Sequence, residues 1–98
     1  MFDPVGKTGY VRIVFSRHAL RRIRERGFSV EDVLETLDSP RQLLYDRWRD
    51  LYIYVGDNGS AVVCAYRGSC FEIVTVLGRR EFKALFSKYG ISRYKVIV

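Results

Sequence analysis

His18, Arg22 and Arg26 stand at i, i+4 and i+8, a spacing that lines them up as one ridge on a helix. Imidazole is the side chain that changes charge near neutrality. Each guanidinium presents a planar fork that matches phosphate oxygens two at a time. Three cationic or cationisable groups in a row repel one another by a few tenths of a kcal/mol, roughly, per adjacent pair. An anion laid along the ridge reverses that cost. The chemistry such a row could support is phosphodiester binding. With the His18 imidazole as base or acid and Arg22 and Arg26 on the phosphate, it could also support attack of an RNA 2'-hydroxyl on the adjacent phosphate without a metal. Arg21 lies on the same helix. A second cluster, Arg79, Arg80 and Lys83, sits where a long strand passes into a helix, whose first N–H groups add to its attraction for phosphate. These four residues are expected to hold flanking RNA backbone, provided the two clusters converge. The bland alternative is a solvated basic face, partly neutralised by Glu25 and the acids of the following helix.

Other motifs carry less. Gly6-Lys7-Thr8 has the tail of a phosphate-binding loop, but the glycine required five residues before the last one is replaced by Met1, and a strand follows where a helix should. Cys64 and Cys70 lack the short spacing of a zinc site, and His18 is the sole histidine, so no metal or other cofactor is expected. The cysteines read as small half-buried hydrophobes. No glycine-flanked serine marks a nucleophile. Tyr52, Tyr54, Tyr66 and Tyr89 could stack on bases, yet seven Tyr and six Phe in so short a chain mostly build core.

Charge points the same way as the ridge. The 98 residues carry 17 Lys and Arg against 11 Asp and Glu, a net charge of +6, and a polyanion is the natural partner. Arg12 to Arg26 holds six Arg against Glu25, and Arg79 to Lys95 holds six bases against Glu81. Between them, Gly27 to Asn58 has seven acids against three Arg. Two basic blocks thus flank an acidic middle, whereas an ordinary salt-bridged surface would mix the signs. A hydrophobic fraction of 48% with 29% charged residues argues for one globular domain over 1–98 rather than a disordered chain. No apolar run approaches the roughly 20 residues of a membrane span. Met1 to Gly9 has no signal-peptide core, so the expected location is the cytoplasm.

Local signals place these residues on elements. Tyr10 to Phe15 reads as a strand. Ser16 caps a helix over Arg17 to Arg26, stopped by Gly27, with Ala19, Leu20 and Ile23 as its apolar stripe. Ser29 caps a second helix, with Asp32 in the capping-box position, Val30, Val33, Leu34 and Leu37 at buried-stripe spacing, and Ser39-Pro40 as its end. Strands follow at Gln42 to Tyr45, Leu51 to Gly56, Ser60 to Tyr66 and Cys70 to Leu77, with tight turns at Asn58-Gly59 and Gly68-Ser69. Phe82, Leu85, Phe86 and Tyr89 then predict a helix over Arg80 to Tyr89, closed by Gly90, with Ile91 to Val98 as a last strand or a loose tail. The expected fold is α+β: two N-terminal helices on an antiparallel four- to five-stranded sheet and a C-terminal helix, all helices on one face.

The stretch from Ser16 to Val33 resembles the N-terminal signature of an uncharacterised bacterial and archaeal family related to the RelE/BrnT superfamily of small toxins. That signature is Ser-x-His-Ala, Arg four and eight residues after the His, then Gly-Ile-Ser and an acidic-Val pair. Phe28 replaces the Ile, and the strand Ile73 to Leu77 resembles the family's Ile-Val-Thr-Val-Tyr with Leu77 in place of the aromatic. The resemblance implies a RelE-like α+β domain and a toxin-type endoribonuclease that cleaves messenger RNA, on or off the ribosome, under the control of an acidic antitoxin. Two other classes fit the same residues: a non-catalytic RNA- or ribosome-binding module, and a protein-interaction domain receiving an acidic partner.

Overall fold

The Ser16 Oγ accepts the Ala19 N–H at 2.9 Å and so starts the first helix where the sequence places it. The computed structural model describes residues 12–98. Their order is β1 (Arg12–Phe15), α1 (Arg17–Glu25), α2 (Val30–Asp38), β2 (Gln42–Asp46), β3 (Leu51–Val55), β4 (Ala61–Arg67), β5 (Cys70–Leu77), α3 (Arg79–Arg93) and β6 (Tyr94–Val96). Tyr10 and Val11 of the expected first strand, and Gly6-Lys7-Thr8, lie outside the described residues. Among the described residues, no helix is long and apolar enough to cross a membrane.

The local signals hold for α1 and α2. Gly27 turns the chain out of α1 at φ +72°. Ser29 and Asp32 form a reciprocal capping box, Asp32 N–H to Ser29 Oγ at 3.1 Å and Ser29 N–H to Asp32 Oδ2 at 2.9 Å. Gly90, at φ 56° and ψ −149°, breaks the helix geometry of α3. Gly90 does not close the helix: Ile91 to Arg93 form one more helical turn beyond the kink, a correction to the strand or tail expected from Ile91. Only then comes β6, a strand of three residues followed by two that bond back to Leu43.

The six strands form one mixed sheet in the order β1-β5-β4-β3-β2-β6. This corrects two expectations. The sheet has six strands rather than four or five, and it is not wholly antiparallel, because β1 pairs parallel with β5 over Arg12–Phe15 and Cys70–Ile73. A further correction concerns the layers. Ala19 and Ile23 of α1 and Val33 and Leu37 of α2 pack with Tyr54, Val62, Cys64, Phe71, Ile73 and Val76 on one face of the sheet. The opposite face, Leu44, Ile53, Val55, Ala61, Val63 and Tyr94, is covered by Phe82, Leu85, Phe86 and Tyr89 of α3. The helices therefore lie on both faces. The signal is in the strands: Ala61 to Ala65 is buried without interruption, as a strand covered on both sides must be.

The helical stripes are also narrower than expected. Leu20, Val30 and Leu34 are about two-fifths exposed. Each of these short helices seats one pair four residues apart on the sheet and leaves the flanks in solvent.

The free edge of β5 sets up the site. β1 covers β5 only as far as Ile73, and a bulge where Val63 and Cys64 of β4 face Thr75 and Ile73 leaves Val74 without a cross-strand partner. Exposed edge groups need other partners. Ser16 supplies two of them, its N–H to Ile73 O at 3.0 Å and its Oγ to Val74 O at 2.9 Å. One serine thus caps α1 and pins it along the edge of β5.

Candidate nucleic-acid interface

With Ala19 and Ile23 held against the sheet, the rotation of α1 is set and the His18–Arg22–Arg26 ridge runs beside the open end of β5. Arg22 extends over that edge, its Nη2 at 3.5 Å from Val76 O. The same nitrogen donates to Glu81 Oε2 at 2.6 Å, and Arg26 Nη2 reaches the same oxygen at 2.7 Å. Glu81 is the third residue of α3, and its other oxygen accepts the Gly78 N–H at 2.9 Å. That backbone bond is the N-terminal cap of α3. The carboxylate therefore ties α1 to α3 around the sheet edge.

This outcome differs from both sequence readings of the ridge. Arg22 and Arg26 are neither wholly available to phosphate nor neutralised by Glu25 and α2. Their partner comes from the start of α3, 59 residues beyond Arg22. Partial burial favours a neutral Glu81. The Gly78 N–H, the Arg22 hydrogen bond and the charges of Arg22 and Arg26 outweigh it, and the carboxyl titrates below its ordinary value. Arg22 keeps 19% of its side chain exposed and Arg26 40%, so the ridge is paired but not sealed. The buried Nε of Arg22 has no hydrogen-bond partner among the described residues.

The Arg22 and Arg26 end of the ridge meets the first turn of α3 at Glu81, while Arg79 and Lys83 face a separate cleft. Glu81 is flanked in α3 by Arg79, Arg80 and Lys83, all exposed, and no carboxylate among the described residues lies within ion-pair distance of those three. On the flank of α3 away from Glu81, Arg79 and Lys83 line a cleft of about 490 Å³ together with Arg41, Asn58, Phe82 and Phe86. Gly59, at φ +87°, makes room for it: a Cβ there would stand 2.9 Å from the Arg79 side chain. Arg41 is held by a bond from its Nη1 to Asp57 O at 3.4 Å. Three cations, amide groups and an aromatic wall make this a surface suited to a phosphate with a base beside it.

Arg41 and Glu81 are the two residues that the sequence did not single out. Glu81 carried a weak signal, as the one acid of its basic block at the third position of a helix. Arg41 carried none. Across the β3–β4 turn lies a second cleft of about 440 Å³, lined by Arg26, Phe28, Glu35, Thr36, Asp57, Asn58 and others. Asp57 and Asn58 border both clefts.

His18 is exposed at the start of the ridge and lines neither cleft. Its Nδ1 lies 3.5 Å from Arg21 Nη2, and two helical turns, roughly 12 Å of rise, separate it from Arg26. Among the described residues, no group of three or more His, Cys, Asp and Glu is placed to hold a metal ion. Cys64 is buried and Cys70 half-buried, both as free thiols.

No curated protein and no solved structure matches the chain. A family model does, over residues 15–77, which takes in the whole ridge, the β3–β4 turn, Arg41 and the β5 edge. The chain belongs to that family, DUF4258, a domain of unknown function.

Proposed function

We propose that the protein binds RNA by its backbone phosphates, through the Arg41–Arg79–Lys83 cleft and the adjoining Arg22–Glu81–Arg26 cluster, as a RelE/BrnT-like protein of the toxin type. The observation that supports this reading is the cleft beside the first turn of α3, where Arg41, Arg79 and Lys83, three cations without carboxylate partners among the described residues, border one surface. The RNA would be messenger RNA, free or on the ribosome, which puts the function in the cytoplasm. An acidic antitoxin segment would compete for the same cations.

Binding of a labelled decauridylate, measured from 50 to 300 mM salt, tests the proposal. Each phosphate contact to a single strand contributes about −0.7 to the slope of log K against log salt. A slope near −2 or steeper is expected, and a flat one would refute the reading. Glu81→Gln makes a second test. The carboxylate occupies the guanidinium donors that a phosphate would use, so its neutralisation should raise affinity several-fold and steepen the slope, as Arg22 and Arg26 join the contact. Unchanged binding would remove these two arginines from the interface.

Cleavage is the second reading, favoured by the exposed imidazole of His18 on the same ridge as Arg22 and Arg26. In that chemistry His18 moves a proton and the arginines take up charge on the phosphoryl oxygens. His18→Ala should lower cleavage by about 10²- to 10⁴-fold and leave decauridylate affinity unchanged. Products that persist at the wild-type rate would exclude His18, and their absence in the wild type would leave a binding module.

A further inference from the structure

The cleft on the α2 side of the β3–β4 turn is more acidic than its neighbour, sharing Asp57 with it and adding Asp32 and Glu35. Arg26 is the single cation among the residues that line it, and Glu35, Asp57, Thr36, Ser39, Asn58 and Phe28 also border it. The carboxylates of Glu35 and Asp57 have no hydrogen-bond or ion-pair partner among the described residues. By contrast, Asp32 on the same wall is engaged by the Ser29 cap, and the Asn58 side-chain oxygen accepts from the Ser60 N–H and hydroxyl. The cleft therefore offers unused acceptors beside an aromatic ring.

Such a lining repels phosphate, and the positive charge of the molecule, +6 overall, repels a polycation. What fits is a neutral planar group rich in donors. Among the nucleobases, guanine alone presents two adjacent donors, N1–H and the 2-amino group, that a carboxylate can accept side by side. Adenine and cytosine each set a ring-nitrogen acceptor next to their amino group, and uracil sets its one N–H between two carbonyls. The position fits too. Asp57 and Asn58 border both clefts, so a strand whose phosphate lies against Arg41, Arg79 and Lys83 has only the turn to cross.

We infer that this acidic cleft is a guanine-reading subsite, with Glu35 or Asp57 accepting from the base edge and Phe28 against its face. The assignment rests on the RNA-binding reading above and adds the identity of the base. The test compares decauridylate with the same oligomer carrying one central guanosine, and with one carrying inosine, which lacks the 2-amino group. The guanosine oligomer should bind at least about fivefold more tightly than decauridylate, with inosine losing most of that gain. Glu35→Gln, alone or combined with Asp57→Asn, should abolish the preference. Glu35→Gln, which lies outside the phosphate cleft, should leave decauridylate affinity intact or slightly raised, because a negative charge is removed. Equal binding of guanosine and uridine oligomers would overturn the subsite while leaving the RNA reading standing. So would a preference that survives both substitutions combined. No salt-dependent binding of decauridylate at all would overturn both.

Discussion

Asp46→Ala should destabilise the fold by about 3–5 kcal/mol, the usual cost of leaving one member of a buried ion pair without its partner. Asp46 Oδ2 accepts from Arg93 Nη2 at 2.8 Å, and its Oδ1 from Arg93 Nε at 3.0 Å. The side chains are only 4% and 12% exposed. The same Oδ1 accepts the Trp48 and Arg49 N–H groups at 3.0 and 3.3 Å and so shapes the β2–β3 turn. Arg93 in turn lies 4.7 to 5.2 Å from the ring centres of Tyr89, Trp48 and Tyr94, a partly desolvated cation–π cage. Removal of the carboxylate strands this guanidinium between β2 and the end of α3.

Urea unfolding would measure the loss, and replacement of both partners by apolar residues should cost less than the single change. A single change costing under about 1 kcal/mol would show that the pair is not buried in solution. The pair also dictates a pH response. Burial pushes Asp46 up, but the Arg93 hydrogen bonds, the Trp48 N–H and the guanidinium charge outweigh it and hold the carboxyl below its ordinary value of 3.8. A depressed folded-state value means stability that is present above the unfolded value and lost as pH falls through the folded one. Acid unfolding below about pH 4 should therefore be shallower in Asp46→Ala than in the wild type.

Combined replacement of Arg41, Arg79 and Lys83 by alanine should lower decauridylate affinity about 100-fold at 0.1 M salt. Three phosphate contacts at about 0.7 each amount to a change of about two in the salt slope, which at a tenth molar corresponds to that factor. Stability should hardly move, because all three residues are exposed and none has a carboxylate partner among the described residues. The measurement therefore isolates binding from folding. Retention of wild-type affinity would mean that RNA, if bound, lies elsewhere, and the opposite end of the ridge around His18, Arg21 and Arg17 would be the next place to substitute.

Much of the local structure can be read from single residues. Ser16, Ser29 and Gly27 mark helix ends because a cap is a short-range contact between residues three or four apart. Asn58-Gly59 marks its hairpin for the same reason, since the φ of +87° at Gly59 is a property of one residue. The layer arrangement was also present, in the unbroken apolar runs Leu51 to Val55 and Ala61 to Ala65, which need cover on both faces. The expectation of all three helices on one face leaves that requirement unmet. The parallel pairing of β1 with β5 leaves no such trace, because its partners are joined by two helices and three strands rather than by a turn.

The basic ridge itself, its spacing and its place beside an apolar stripe were determined by sequence alone, for a helix converts spacing directly into a shared face. Its state of charge was decided only by the tertiary structure. Glu81 reaches Arg22 and Arg26 because β1 stops short of the end of β5 and leaves an edge that α1 and the first turn of α3 approach from opposite faces. Arg41 joins Arg79 and Lys83 through the same end of the sheet. Contacts across 59 residues depend on where strands end and which way helices fold back, and these are properties of the assembled core rather than of any local run of residues.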